Sequence, residues 1–308
     1  MQSVLERISD SVGTALLGKE NQVKLSLACL LSEGHLLIED LPGMGKTTLA
    51  QCLATVLGLQ YSRVQFTSDL LPGDIIGVSV FDRNDASFKF HKGPVFTQLL
   101  LADEINRSTP KAQSALLEAM EERQVTVDGK TRKLPEPFFV IATQNPVSQA
   151  GTYPLPESQL DRFLMCVSLG YPTAESERKL LKGLDPREEL KTMKPIVNLE
   201  ELKSLQTLVK DIKATDQLLD YLQRLVNFTR YSDKFSYGLS PRGALGLLRA
   251  SKAWALIHNR DYVIPEDLQA IIPSVVEHRV QGSSRVHSQN SSDSLSTLLL
   301  NSVEVVER

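Results

Sequence analysis

Residues 35–58, HLLIEDLPGMGKTTLAQCLATVLG, constrain the fold more than any other part of the chain. An apolar run ends in two acids, a glycine-rich turn follows, and an unbroken helical pattern starts near Lys46. Strand, tight turn and helix in that order form one unit of a parallel α/β sheet, because the helix must pack back on the strand it leaves. The turn also carries chemistry. Gly43 and Gly45 let backbone N–H groups approach an anion closely, and the helix start adds the positive end of its dipole. Lys46 would reach the β- and γ-phosphates of a nucleotide, and the Thr47 hydroxyl would ligate Mg²⁺. Pro42, Gly43, Met44, Gly45, Lys46, Thr47 and Thr48 are therefore the candidate phosphate cradle. Asp40 stands where the usual loop has its first glycine. Kinases, switches, helicases and protein-remodelling motors all use such a loop, so residues elsewhere must decide among them.

The alternation continues on both sides. Helical periodicity covers about 4–17 and 22–31. YSRVQF, QLLLADE, FFVIATQN and FLMCVSL read as strands, and the last three are apolar enough to be buried on both faces. KAQSALLEAMEER reads as an amphipathic helix. Two segments, about 77–93 and 123–135, read instead as inserted β-hairpins, the second turning at Asp128–Gly129. They are either a decorative sheet edge or functional inserts. After Gly170 no strand run is convincing, and helices are expected at about 199–211, 216–230, 241–258 and 265–278. The expected organisation is a nucleotide-binding core over 1–170, a helical domain over 171–280, and a segment 281–308. In that last segment QGSSRVHSQNSSD is polar and SLSTLLLNSVEVVER suits a short helix docking back.

Five further positions carry chemistry. Asp103 ends the apolar strand LLLAD and places a carboxylate near the metal. Glu104 follows it, where a second carboxylate can polarise a water for attack on the γ-phosphate, which favours hydrolysis over transfer. Asn145 ends another buried strand at the sheet edge where ligands bind in open α/β folds, although an asparagine before proline is also a common turn. Arg162 in ESQLDRF is either a surface ion pair or an arginine offered to a neighbouring subunit's γ-phosphate. Arg242 in LSPRGAL opens a helix, where it either has no role or bridges the two domains through the nucleotide.

Charge and composition narrow the classes. A net charge of −3 and a pI near 6.0 give no bulk attraction to nucleic acid or to an anionic membrane. Cys29, Cys52 and Cys166 form neither a zinc pattern nor a disulfide framework. The N-terminus lacks the apolar core of a signal peptide, and no apolar run is long enough to span a bilayer. A cytoplasmic protein without membrane insertion is expected.

Taken together, EDLPGMGKTTLA, RVQFTSDLLPGDIIG, KGPVFTQLLLADEINRSTPKAQSALLEAMEERQVT, IATQNPVSQAGTYPLPESQLDRF and LSPRGAL resemble, in order, the motifs of the MoxR group of AAA+ ATPases. The resemblance covers about residues 10–280. It implies a P-loop AAA+ core with a five-stranded parallel sheet, followed by a small all-α lid of four helices. The strand ending at Asn145 would lie between the loop strand and the Asp103 strand. ATP and Mg²⁺ would be the cofactors, with Asn145 as first sensor, Arg162 as trans-acting finger and Arg242 as second sensor, in cis or in trans. Arg107 is a motif position expected near a subunit interface. The hairpins would be functional inserts, and Asp40 is a variant that the group's loop tolerates. A homo-oligomeric, usually hexameric, ring is implied, with chaperone-like remodelling of protein clients, often von Willebrand factor A (VWA) domain proteins. A magnesium-chelatase-type subunit and a nucleic-acid motor are the alternatives, and a metabolic P-loop kinase is more distant.

Overall fold

The computed structural model describes residues 3–84, 86–145, 152–283 and 294–306. Two helices open the chain, α1 (Val4–Ala15) and α2 (Glu20–Leu31). Ser3 caps α1 in a reciprocal box with Glu6, and Leu5, Ile8, Val12 and Ala15 form its buried stripe. Then come β1 (Leu36–Glu39), α3 (Lys46–Val56) and β2 (Tyr61–Gln65). A short helix α4 (Pro72–Ile76) leads into the hairpin β3 (Gly77–Asp82) and β4 (Ser87–Lys92). After β5 (Leu99–Asp103) and α5 (Pro110–Glu122) comes a second hairpin, β6 (Gln124–Val127) and β7 (Lys130–Lys133). The strand β8 (Phe139–Gln144), a helical turn α6 (Glu157–Leu160) and β9 (Met165–Val167) complete the sheet.

The five strands lie in the order β2-β5-β8-β1-β9, all parallel. The strand leading to Asn145 is therefore between the loop strand and the Asp103 strand, as the resemblance implies. Registers such as Gln65↔Asp103 and Glu39↔Gln144 bring the carboxyl ends of four strands to one edge. Along β5, Leu99 and Leu101 enter the cluster beneath α1, α2 and α3, while Leu100 and Ala102 enter the one beneath α5. Both faces being covered, β5 and β8 are buried throughout.

The hairpins form as expected, the second around left-handed Asp128 (φ 52) and Gly129 (φ 71). They also touch one another, with the Arg132 guanidinium 3.8 Å from the centre of the Phe90 ring. Val80, Phe81 and Phe88 of the first hairpin stay exposed.

Beyond Gly170, α9 (Leu199–Asp211), α10 (Asp216–Tyr231), α11 (Pro241–Ile257) and α12 (Pro265–Val276) match the expected helices closely. Two short helices, α7 (Ala174–Leu181) and α8 (Pro186–Thr192), were not expected. Neither fully buries an apolar residue, although Leu190 of α8 packs against the core; N-caps Thr173 and Asp185 and first-turn acids support both. The helical region is also not purely helical. Phe235–Tyr237 and Gln281–Gly282 pair as a short antiparallel ribbon, too brief for sequence alternation to reveal. The helix Leu295–Ser302 packs on α10 and α12, so the docking helix forms; the polar stretch at 284–293 lies outside the described residues. No helix among the described residues is long and apolar enough to cross a membrane. The three cysteines are free.

Two histidines fasten the core in neutral form. His35 accepts from Val140 N at 3.0 Å and meets Met120 O at 3.2 Å, and burial pushes its pKa down to about 4. His278 meets Phe163 O at 3.1 Å and is pushed down to about 3, again chiefly by burial. Below the ordinary value of 6.5 the unfolded chain takes up protons that these folded rings refuse. Stability present above that pH is thus lost as pH falls towards 4, by up to about 1.4 kcal/mol per pH unit for each ring. Denaturation midpoints measured down this range should begin to fall well above the carboxylate range. A flat profile there would contradict the assignment.

Candidate functional site

The phosphate loop leaves β1 at the carboxyl edge of the sheet. Gly43 (φ 84) and Gly45 (φ 93) hold left-handed backbone, which explains why glycine is needed at both. A Cβ on Gly43 would meet nothing within 4 Å, so the loop faces open space. Gly45 caps α3 without any side-chain acceptor, leaving the first N–H groups of the helix for an anion. Lys46 is buried, and among the described residues its Nζ donates only to neutral oxygens: Asp40 O at 2.6 Å, Asn145 Oδ1 at 3.1 Å and Gln144 O at 3.5 Å. Burial lowers its proton affinity, opposed by Asp40, Asp103 and Glu104. With no carboxylate among the described residues hydrogen-bonded to it, the ammonium is placed to pair with a phosphate.

Asp40 has a task that the sequence did not disclose. Its Oδ2 accepts from Gly170 N at 2.6 Å and from Ser168 Oγ at 3.2 Å, so the loop is tied to the turn where the helical region begins. Lys19 grips the same turn through Leu169 O at 2.6 Å and Gly170 O at 3.0 Å.

Asp103, Glu104 and Asn145 converge beside Lys46. Asp103 accepts from Thr143 Oγ1 at 2.6 Å and from Arg63 NH2 at 2.5 Å. Glu104 sits at φ 56, an uncommon left-handed conformation for a residue with a side chain, and its N–H donates to Thr143 Oγ1 at 2.8 Å. Asn145 joins the two halves: its Oδ1 accepts from Lys46, and its Nδ2 donates to Glu104 Oε1 at 3.2 Å. Its own carbonyl is held by Asn106 Nδ2 at 3.0 Å. The continuation of this motif, Pro146 onwards to residue 151, lies outside the described residues.

Several of these partners were not anticipated. Thr143 is a polar residue that, with Gln144, ends the apolar run of a fully buried strand, a signal that could have found it. Arg63 and Gln65 alternate with Val64 on β2, and Gln65 Nε2 donates to Glu104 Oε2 at 2.9 Å. Arg107 also reaches Glu104 Oε2, at 3.3 Å.

The donor set suits Mg²⁺. Thr47, half-buried in the first turn of α3, and Asp103 offer hard oxygens. Among the described residues no cluster of three or more His, Cys, Asp or Glu forms a closed cage. That is how Mg²⁺ is usually held, by one or two protein oxygens together with phosphates and waters.

The two arginines lie elsewhere. Leu164 N donates to His35 O at 2.8 Å, which puts Arg162 at the amino edge of the sheet, the edge opposite the loop. At ~3.3 Å per residue a strand's length separates those edges by roughly 10 Å or more. Arg162 NH2 meets Glu121 Oε2 at 3.1 Å, and Arg242 NH2 meets Oε1 of the same carboxylate. Among the described residues these are the side-chain partners of both arginines, and neither reaches Lys46, Asp103 or Glu104. Arg242 thus joins the helical region to α5 through Glu121, and does not bridge to the phosphate loop of its own chain. It also lines a groove of about 750 Å³ beside Glu33, Lys210 and Arg249.

Comparison with known proteins agrees with this arrangement. Residues 35–165 match the model of the ATPase family associated with various cellular activities (AAA), and residues 227–298 match an AAA lid domain. The chain is 45% identical over 280 residues to the uncharacterised protein YeaC of Bacillus subtilis, covering 91% of this chain and 88% of that protein. It is 42% identical over 287 residues to the chaperone MoxR1 of Mycobacterium tuberculosis, covering 90% and 75%. The crystal structure of a candidate ATPase from Cytophaga hutchinsonii superposes with a TM-score of 0.87 at 35% identity, covering 99% of this chain and 95% of the other. With a five-stranded parallel sheet, a phosphate loop beside an acidic strand end and a helical lid, the chain belongs to the MoxR family of AAA+ ATPases.

Proposed function

We propose that this chain hydrolyses ATP to ADP and phosphate in a head-to-tail ring and couples that turnover to chaperone-like remodelling of a protein client. One observation carries the reading. The hydrolytic residues stand at the carboxyl edge of the sheet, while Arg162 and Arg242 stand at the amino edge, so a complete site needs two copies. Contacts between unlike faces close into rings, and the hexamer is the size we propose.

Pro42 to Thr48, the Walker A loop, cradle the phosphates through backbone N–H groups, and Lys46 pairs with the β- and γ-phosphates. Thr47 and the Walker B residue Asp103 would hold Mg²⁺, which would supply neutralisation of phosphate charge. Glu104 orients and polarises the attacking water, and takes up its proton as the new P–O bond forms and the bond from the γ-phosphorus to the bridging oxygen breaks, releasing ADP. Asn145 reads the γ-phosphate and water together, since its amide already spans Lys46 and Glu104. Arg162 and Arg242 meet the developing negative charge from the neighbouring copy.

The exposed apolar hairpin, with Val80, Phe81 and Phe88, supports contact with a protein client. A VWA-domain protein in the cytoplasm is the proposed class of client. Arg132 at the other hairpin is occupied by the Phe90 ring and by the carbonyls of Val127 and Lys130, which weakens a nucleic-acid role. ATP hydrolysis per subunit, measured across protein concentration, should rise until assembly is complete. A constant rate down to demonstrated monomer would overturn the ring reading.

A further inference from the structure

The geometry points to Glu121 as a positioning residue that holds Arg162 and Arg242 as one two-arginine unit for the terminal phosphate of a nucleoside triphosphate on a neighbouring copy. This rests on the ring reading above. Glu121 lies in the last turn of α5, with one carboxylate oxygen on each guanidinium. Glu121 is 34% exposed, Arg162 28% and Arg242 49%, so another chain can reach all three. NH2 of each arginine meets Glu121, and a guanidinium carries five N–H donors. The unit therefore keeps donors and net positive charge for phosphate oxygens, while the shared carboxylate relieves repulsion between the two cations.

The backbone behind each arginine is fixed independently. Ser240, the N-cap of the helix bearing Arg242, donates its hydroxyl to both carboxylate oxygens of Asp161 at 3.2 Å. Asp161 immediately precedes Arg162. Arg279, with its side chain 3% exposed, donates Nε to Asp161 Oδ1 at 2.8 Å and NH1 to Leu164 O at 2.9 Å. The finger segment and the lid are thus stitched together, and what remains free is the outer length of two long, like-charged side chains. Glu121 removes that freedom. The arrangement joins residues 121 positions apart, Glu121 and Arg242, around a third, Arg162.

Glu121→Ala tests this, because alanine preserves the exposed helix turn. We expect kcat for ATP to fall at least ~10-fold, as expected for misplaced catalytic groups. KM should stay within about two-fold, since the variant's own loop is untouched. Mixing with Glu104→Gln subunits, whose arginines are intact, should restore turnover at the variant's sites, and Glu121→Gln should fall between the two. A wild-type kcat in Glu121→Ala, or a loss that mixing does not restore, overturns the proposal. Arg162→Ala serves as the separating control. If it too is not restored by mixing, the ring reading fails; if it is restored and Glu121→Ala is not, only the role of Glu121 fails.

Discussion

Replacing Arg162 with alanine should slow ATP turnover by about 10³–10⁵-fold, the range over which an arginine finger acts. That is roughly 4–7 kcal/mol of barrier. The fold should hardly register the change. The arginine's partner is Glu121, both side chains are about one-third exposed, and such pairs contribute ~1 kcal/mol or less. ATP affinity of the variant's own loop should persist as well, because Arg162 stands at the far edge of the sheet from Lys46. A normal melting profile, normal nucleotide binding and a collapsed kcat would together mark an arginine acting on another copy. Turnover close to that of the natural chain would remove Arg162 from the mechanism.

Glu104→Gln should bind ATP and fail to turn it over, with a loss of ~10²–10⁴-fold as for a missing general base. Glutamine keeps the length of the side chain, so the contacts with Gln65 and Asn145 are rearranged rather than emptied. It lacks the charge that polarises water. ATP should then hold the variant in its loaded state, making it a trap. Loaded with ATP in lysate of the native organism, it should retain a VWA-domain protein, alone or with an enzyme it services. Nuclease-sensitive nucleic acid in its place would leave the ATPase assignment standing and remove the proposed client class. Normal turnover by the variant would remove Glu104 from its role.

Most of the architecture was legible because its causes are short-range. Burial on both faces makes β5 and β8 continuous apolar runs, positive φ demands glycine at Gly43 and Gly45, and amphipathic periodicity marks α9 to α12 within a residue or two. Helices α7 and α8 escaped because they are short and carry no fully buried apolar stripe for periodicity to reveal. Arg63 and Gln65 escaped because β2 looks like any half-buried edge strand until its register places Gln65 against Asp103.

Local pattern alone determined the residue types of the chemistry: a phosphate loop, two carboxylates and a strand-end amide along one chain. Only the tertiary structure decided which edge of the sheet the two arginines occupy and which residues meet across it. Asp40 reaches Gly170 across 130 positions, and Arg242 reaches Glu121 across 121. Contacts of that span follow from strand order and helix packing, which alternation and periodicity do not encode. The separation of arginines from phosphate loop, on which the proposed ring rests, is a property of the folded sheet.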